Sequence, residues 1–245
     1  MKKAEEFRDI YRVRNALKKL ETYNDSDLNR YIKPILESRL GKEQKVQESN
    51  KTLIAFSGGI DSKATLLITK KFKLHPEAVT FVLSPSNRKP IESFCQKNNV
   101  KIHFISDNYR RTILEEAKKK RFHPCGRCHR FMTEKIYEFA EKREYKFIAF
   151  GDMLSVGSHS IIKMGEMYRL NIPAMLSLTK EDHIEMVGEE FDGFGCEFLK
   201  NLHKKYPHLK RYSIQRVLRE LRCQSISPET AGKLIKDIEG DNSCF

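Results

Sequence analysis

Apolar and polar positions change their rhythm twice along the chain. Over residues 3–40, Phe7, Ile10, Tyr11 and Leu17 recur at helical spacing, and a second set (Leu28, Tyr31, Ile32, Ile35, Leu36) follows a cap at Asp25 or Ser26. Residues 41–50, GKEQKVQESN, hold one apolar side chain in ten and read as a linker. From Lys51 short apolar runs alternate with amphipathic stretches. LIAF (53–56), AVTFVL (78–83), VKIHFI (100–105) and KFIAFG (146–151) read as buried strands, and RLNIPAML (169–176) as a fifth interrupted by Pro173. Between them lie helical patterns over 61–73, 90–98, 109–120 and 127–143. After about residue 179 only helices remain, at 180–190, 194–205, 213–222 and 228–239, the last opened by Ser227-Pro228. Strands alternating with helices pair in parallel through right-handed crossovers. The expected fold is therefore α/β: a doubly wound, mostly parallel five-stranded sheet with helical extensions at both ends. The expected boundaries are an N-terminal helical segment (1–48), an α/β domain (49–178) and a C-terminal helical region (179–245).

Composition narrows the picture through charge. Forty-six Lys+Arg against 33 Asp+Glu leave a formal +13, and the excess is concentrated. Residues 110–130 carry eight basic side chains against two acids, and residues 200–222 carry eight against Glu220 alone. Such runs suit a polyanionic partner, although a solvated helix face gives the same pattern. No apolar run approaches the roughly 18 residues a membrane span needs. The N-terminus, MKKAEEFRDIYRVRN, lacks the apolar stretch of a signal peptide. Six irregularly spaced cysteines are not a disulfide framework, so the expected compartment is the reducing cytoplasm.

The most specific feature is Ser57-Gly58-Gly59-Ile60-Asp61-Ser62, between the first strand and the next helix. Two glycines let successive N–H groups converge on an anion, the helix adds its positive end, and two serines add hydroxyls. This is neither a Walker A loop nor a dinucleotide fingerprint. SGGxDS resembles the PP-loop of the N-type ATP pyrophosphatases, the adenine nucleotide alpha hydrolases, whose sheet is of the HUP, Rossmann-like kind. The resemblance implies that Ser57, Gly58, Gly59, Asp61 and Ser62 hold the pyrophosphate of ATP, with Asp61 near Mg²⁺. It also implies transfer of AMP to an acceptor oxygen. Ligands of such sheets sit at the carboxyl ends of strands. That rule places Leu83, with Ser84, Pro85 and Ser86, near the adenine or ribose, and Gly151-Asp152 beside them.

Pro124-Cys125-Gly126-Arg127-Cys128 sets a Cys-x-x-Cys at a helix start, where the dipole and Arg121, Arg127 and Arg130 favour thiolate. Cys223 closes the second basic run, 95 residues beyond Cys128. Loop, Cys-x-x-Cys and distant single cysteine together, over about residues 51–225, resemble the iron–sulfur-dependent tRNA thiolation enzymes. The resemblance implies that Cys125, Cys128 and Cys223 ligate a 4Fe-4S cluster that carries sulfide. The stretch Gly151-Asp152-Met153-Leu154-Ser155-Val156-Gly157-Ser158-His159 keeps that branch's glycine but not its paired acids. Cys95, near Phe94, and Cys196, near Phe194 and Phe198, read as core; His123 and His129 flank the Cys-x-x-Cys.

The leading expectation is an ATP-dependent tRNA sulfurtransferase. Asp61, Cys125, Cys128 and Cys223 are its catalytic residues, and the cofactors are ATP, Mg²⁺ and the cluster. The tRNA would lie along residues 110–130 and 200–222, with the sulfur donor left open and a homodimer admitted. Two other readings stand beside it. One is a sulfur-inserting or amidating PP-loop enzyme for a small nucleotide-like substrate, its cysteines on structural zinc. The other is a nucleotide-sensing RNA-binding protein.

Overall fold

A computed structural model describes residues 2–43, 47–49, 51–81, 85–106, 112–113, 115, 123–153, 160–190 and 193–240, with the side chains of 2–8 and 85–87 left aside. Six strands form one sheet in the order β3-β2-β1-β4-β6-β5. The chain begins with α1 (Lys2–Tyr23), a π-turn (Leu28–Ile32) and α2 (Lys33–Arg39). Then follow β1 (Thr52–Ala55), α3 (Ile60–Lys71), β2 (Pro76–Phe81), α4 (Pro85–Lys97), β3 (Ile102–Ile105), α5 (Pro124–Glu141) and β4 (Phe147–Phe150). A hairpin of β5 (Ile161–Met164) and β6 (Met167–Asn171) leads to α6 (Ile172–Leu176), α7 (Lys180–Val187), α8 (Glu197–Lys205), α9 (Lys210–Arg222) and α10 (Pro228–Glu239). All pairings are parallel except β5 with β6. The α/β, doubly wound reading holds.

Two details depart from the expectation. The sheet has six strands rather than five, because residues 161–164 add an antiparallel edge. Gly165, at φ +58°, lets the chain reverse there within two residues. The fifth apolar run is also not one strand. It divides at Asn171, and Pro173, in the first turn of α6, supplies the fixed φ a helix start accepts.

Alternation along the strands builds two cores. Ile54, Phe56, Ala78, Phe147 and Ala149 face one layer, with Val13, Leu20, Ile32 and Leu36 of the N-terminal helices packed into it. Leu53, Val79, Phe81, Ile148 and Phe150 face the other, against Ile136 and Ala140 of α5. Tyr168 Oη donates to Asp25 and Lys146 pairs with Asp25 and Asp27, which fastens the N-terminal segment to the sheet. Val217, Ile226, Ala231, Leu234 and Ile238 form a third, separate cluster in the α9–α10 hairpin. Among the described residues no helix is long and apolar enough to cross a membrane.

β1 and β4 are the central neighbours from which the chain winds outward in both directions. Their carboxyl ends therefore open the crevice where open α/β sheets bind ligands.

Candidate active site at the carboxyl ends of β1 and β4

Phe56 N–H still donates to Val79 O (2.9 Å), so the ladder holds for one residue past β1 before the chain turns. Gly58 makes the turn at φ +80°, and a Cβ there would lie 2.7 Å from Ile91 Cγ1 on α4. Gly59 is the N-cap of α3 and offers its first-turn amides no side chain, leaving them to an incoming anion. The two serines tie the loop to itself. Ser62 Oγ donates to Gly59 O (2.8 Å) and accepts Ser57 N–H (3.3 Å), while Gly59 N–H reaches Ser57 Oγ (3.4 Å).

Asp61 has partners that no local pattern announced. Lys180 Nζ donates to both carboxylate oxygens at 2.6 Å, and His183 Nδ1 lies 2.8 Å from Oδ1. Burial alone would raise the Asp61 pKa. The His183 hydrogen bond and the Lys180 charge outweigh it and hold the carboxyl down at about 2. Both partners ride on α7, which a Thr179/Asp182 capping box starts and Gly188 ends. That box is readable in the sequence as TKED, but nothing local says where α7 docks. His183 is fully buried, and its Nε2 has no hydrogen-bond partner among the described residues.

Gly151 and Asp152 follow β4 and meet the loop from the other side. A Cβ on Gly151 would lie 2.9 Å from the carbonyl carbon of Asp61 and 3.1 Å from Ser62 N. Only glycine lets β4 end there. Asp152 Oδ2 accepts from Arg169 of β6, and its Oδ1 lies 3.9 Å from His129 Nε2 on α5. Arg169 is buried and fully engaged. It donates to Asn171 Oδ1 and Tyr137 Oη (2.9 Å each) and stacks 4.0 Å over the Phe150 ring. Partial desolvation lowers the His129 pKa despite the Asp152 charge, with the side chain still half exposed. Sequence reading passed over Lys180, His183, Arg169 and Tyr137.

His123 caps the start of α5, with Cys125 in the first turn and Cys128 packed against the Phe131 and Met132 side of the core. Arg216 of α9 feels the charges of Glu220, Asp152 and Cys125. Cys223 lies elsewhere: it ends α9, where its carbonyl accepts from Arg12 (2.6 Å). Among the described residues, no three His, Cys, Asp or Glu side chains are placed to hold a metal ion. The expected trio of Cys125, Cys128 and Cys223 is thus not gathered. The reason lies in α9, which turns Arg216 toward Cys125, while Cys223 comes seven residues later, roughly 10 Å along the axis. Cys95 is buried as expected. Cys196 is exposed, because it is the N-cap of α8 and stands outside the Leu199–Leu202 stripe.

Leu83, Ser84, residues 154–159 and six of the eight basic side chains of the run 110–130 lie outside the described residues. The second run lies on α8 and α9. Arg211, Gln215, Leu218, Arg219 and Arg222 share the outward face of α9 by helical spacing, and Leu218 is 48% exposed.

No protein-family model matches the chain. The uncharacterized protein MJ1638 of Methanocaldococcus jannaschii is 31% identical over 245 residues, spanning 93% of this chain and 92% of its own length. A second protein of that organism, the uncharacterized MJ1599, is 30% identical over 128 residues, 49% of this chain and 46% of its own. Two solved structures share a TM-score of 0.42 with the chain. A predicted tRNA methyltransferase subunit from M. jannaschii is 16% identical, covering 64% of this chain and 88% of that one. The NH3-dependent NAD synthetase of Campylobacter jejuni is 13% identical, covering 83% and 88%.

Proposed function

The chain belongs to the same family as MJ1638 of Methanocaldococcus jannaschii, and we propose that it is an ATP-using enzyme of the PP-loop type. It would cleave ATP to AMP and pyrophosphate while activating an acceptor oxygen. One observation carries this reading: SGGIDS sits between β1 and α3 at the switch point of the sheet, with α3's amides uncapped and Asp61 gripped by Lys180 and His183.

The chemistry follows from the donors. The pyrophosphate accepts from the loop amides and the Ser57 and Ser62 hydroxyls, and α3 adds its positive end. Lys180, 2.6 Å from Asp61, would also donate to a phosphate oxygen held by the loop. The loop offers one carboxylate and two hydroxyls, an all-oxygen set that suits Mg²⁺ shared with phosphate and water. Asp61 would hold that ion, which supplies neutralisation of the charge that builds on the leaving pyrophosphate. The acceptor half lies at Asp152, His129 and Cys125. His129, 3.9 Å from Asp152, would be the group there that takes a proton.

The acceptor we propose is a nucleobase carbonyl of tRNA, activated as its adenylate and replaced by sulfur. Support comes from the basic face of α9 beside the crevice and from the thiols at the start of α5. Because no three His, Cys, Asp or Glu side chains among the described residues are placed to hold a metal ion, no step is routed through a three-cysteine cluster or through zinc.

Thin-layer analysis of α-labelled ATP, with and without bulk tRNA, tests the reading. RNA-stimulated AMP that disappears in Asp61→Asn and Lys180→Met is the expected result. AMP without any RNA requirement points to a small acceptor. Nucleotide binding with no AMP under either condition overturns the enzyme in favour of a sensor.

A further inference from the structure

α7 is attached at both ends of its first turn to different bodies. On one side the Lys180 ammonium and the His183 ring hold Asp61 of the loop, and Lys63 of α3 pairs with Glu189 just past the end of α7. On the other side the Lys180 backbone N–H donates to Ser225 O (2.9 Å). The next residue, Glu181, accepts from Ser227 N–H (2.9 Å) and Thr230 Oγ1 (2.7 Å), the N-cap and first turn of α10. Residues 180 and 181 therefore split their bonds between the phosphate loop and the α9–α10 hairpin.

The hairpin has its own small core, separate from the two that hold the sheet. It also meets the α/β body through the Arg12 bond to Cys223 O, the ring contact of His123 with Tyr212, and the Arg216 charge near Asp152. None of these is a hydrogen bond to the loop, whereas α7 bonds to both the loop and the hairpin. Its loop-side contact is also the one a ligand disturbs. A polyphosphate competes with Asp61 for the Lys180 ammonium, and a cation on Asp61 displaces that ammonium by charge.

We propose that occupancy of the phosphate loop is passed through α7 to the α9–α10 hairpin, so that ATP binding and RNA binding on the basic face of α9 are thermodynamically linked. This rests on the ATP reading and adds regulation to it. When Lys180 leaves Asp61, its backbone and Glu181 carry the displacement to Ser225, Ser227 and Thr230. The hairpin then takes a second position against the crevice mouth. Linkage requires reciprocity: RNA bound at Arg211 and Arg219 shifts ATP affinity by the same factor that ATP shifts RNA affinity.

Hydrogen exchange of the full chain, with and without Mg-ATP, tests this. In the wild type, Mg-ATP is expected to change amide exchange across residues 223–231, and the affinity for a short single-stranded RNA is expected to shift about fivefold or more. Glu181→Ala and the milder Thr230→Val cut the bonds to α10 without touching the loop. Both are expected to bind Mg-ATP as the wild type does while losing the exchange response and the affinity shift. Two results overturn the connection and leave the ATP reading standing: calorimetric binding with unchanged exchange at 223–231, or a full response in both variants. Absence of any calorimetric binding removes the ATP reading and the connection together.

Discussion

Gly151→Ala is the sharpest perturbation the site offers. The Cβ would lie 2.9 Å from the Asp61 carbonyl carbon, 3.0 Å from its oxygen and 3.1 Å from Ser62 N. All three are backbone atoms in the first turn of α3, so no rotamer change relieves the clash. Either β4 withdraws or the loop moves. Overpacking of a well-packed site costs about 1–3 kcal/mol, and a backbone neighbour puts this case in the upper half. For a chain of this size about 2–3 kcal/mol lowers Tm by roughly 4–12 °C. The displaced atoms belong to Asp61, so nucleotide affinity falls in the same variant. Gly126→Ala is the matched control: it lies in α5 with nothing within 4 Å of its Cβ, and alanine there stabilises by about 0.5–1 kcal/mol. Urea unfolding followed by circular dichroism reads both variants, and calorimetry with Mg-ATP reads the site. A Gly151→Ala protein within about 0.5 kcal/mol of wild type refutes the claim that β4 and the loop are packed backbone to backbone.

Two further outcomes follow from buried carboxylates. Asp61 is held at about 2 against an ordinary 3.8, so its stabilisation is complete above pH 4 and drains as pH falls toward 2; about 2 kcal/mol is at stake. Asp61→Asn should flatten the acid limb of a stability-versus-pH curve over that window, and an unchanged slope would falsify the linkage. Glu77, near the amino end of β2 and so at the opposite end of the strands, accepts from Tyr145 Oη (2.8 Å), lies 2.7 Å from His103 Nε2 and pairs with Lys51 (2.8 Å). Tyr145→Phe should cost about 1–2 kcal/mol in urea unfolding, with Mg-ATP affinity unmoved; a change in affinity would show that the two ends of the sheet are coupled.

What could be read from the sequence tracks how local the determining interactions are. β1, β2 and β4 stand out because central parallel strands bury both faces and so appear as unbroken apolar runs, and the partly buried edge strand β3 is legible from its apolar residues alone. β5 does not. It is a four-residue edge, IIKM, with Ile161 buried and Lys163 exposed, and half of its face carries no hydrophobic signal. Pro173 misled for a related reason. In an apolar run it reads as a break in a strand, yet its fixed φ also suits the first turn of a helix. The choice between the two was made by Tyr168 and Leu170 pairing with β4, a contact that spans some twenty residues.

The same rule governs the site. SGGIDS was legible because its strand, turn and helix are contiguous and the positive φ at Gly58 belongs to that turn, although the close approach of Ile91 to Gly58 was not. Lys180 and His183 were not, since they reach Asp61 across 119 and 122 residues, and only the docking of α7 brings them there. The cysteines show how spacing alone misleads. Cys125, Cys128 and Cys223 keep a recognisable order along the chain, but spacing does not say which turn of α9 faces α5. Arg216 is the residue that feels Asp152 and Cys125, and Cys223 follows on the same helix face two turns further along the axis. The overall charge of +13 meets the same distinction. Arg211 and Arg219 lie on the outward face of α9, whereas Arg216, equally exposed, pairs with Glu220 and feels the charge of Asp152. Neutralising the outer pair should therefore weaken RNA binding in a salt-dependent way, whereas neutralising Arg216 should act on the acceptor half of the site.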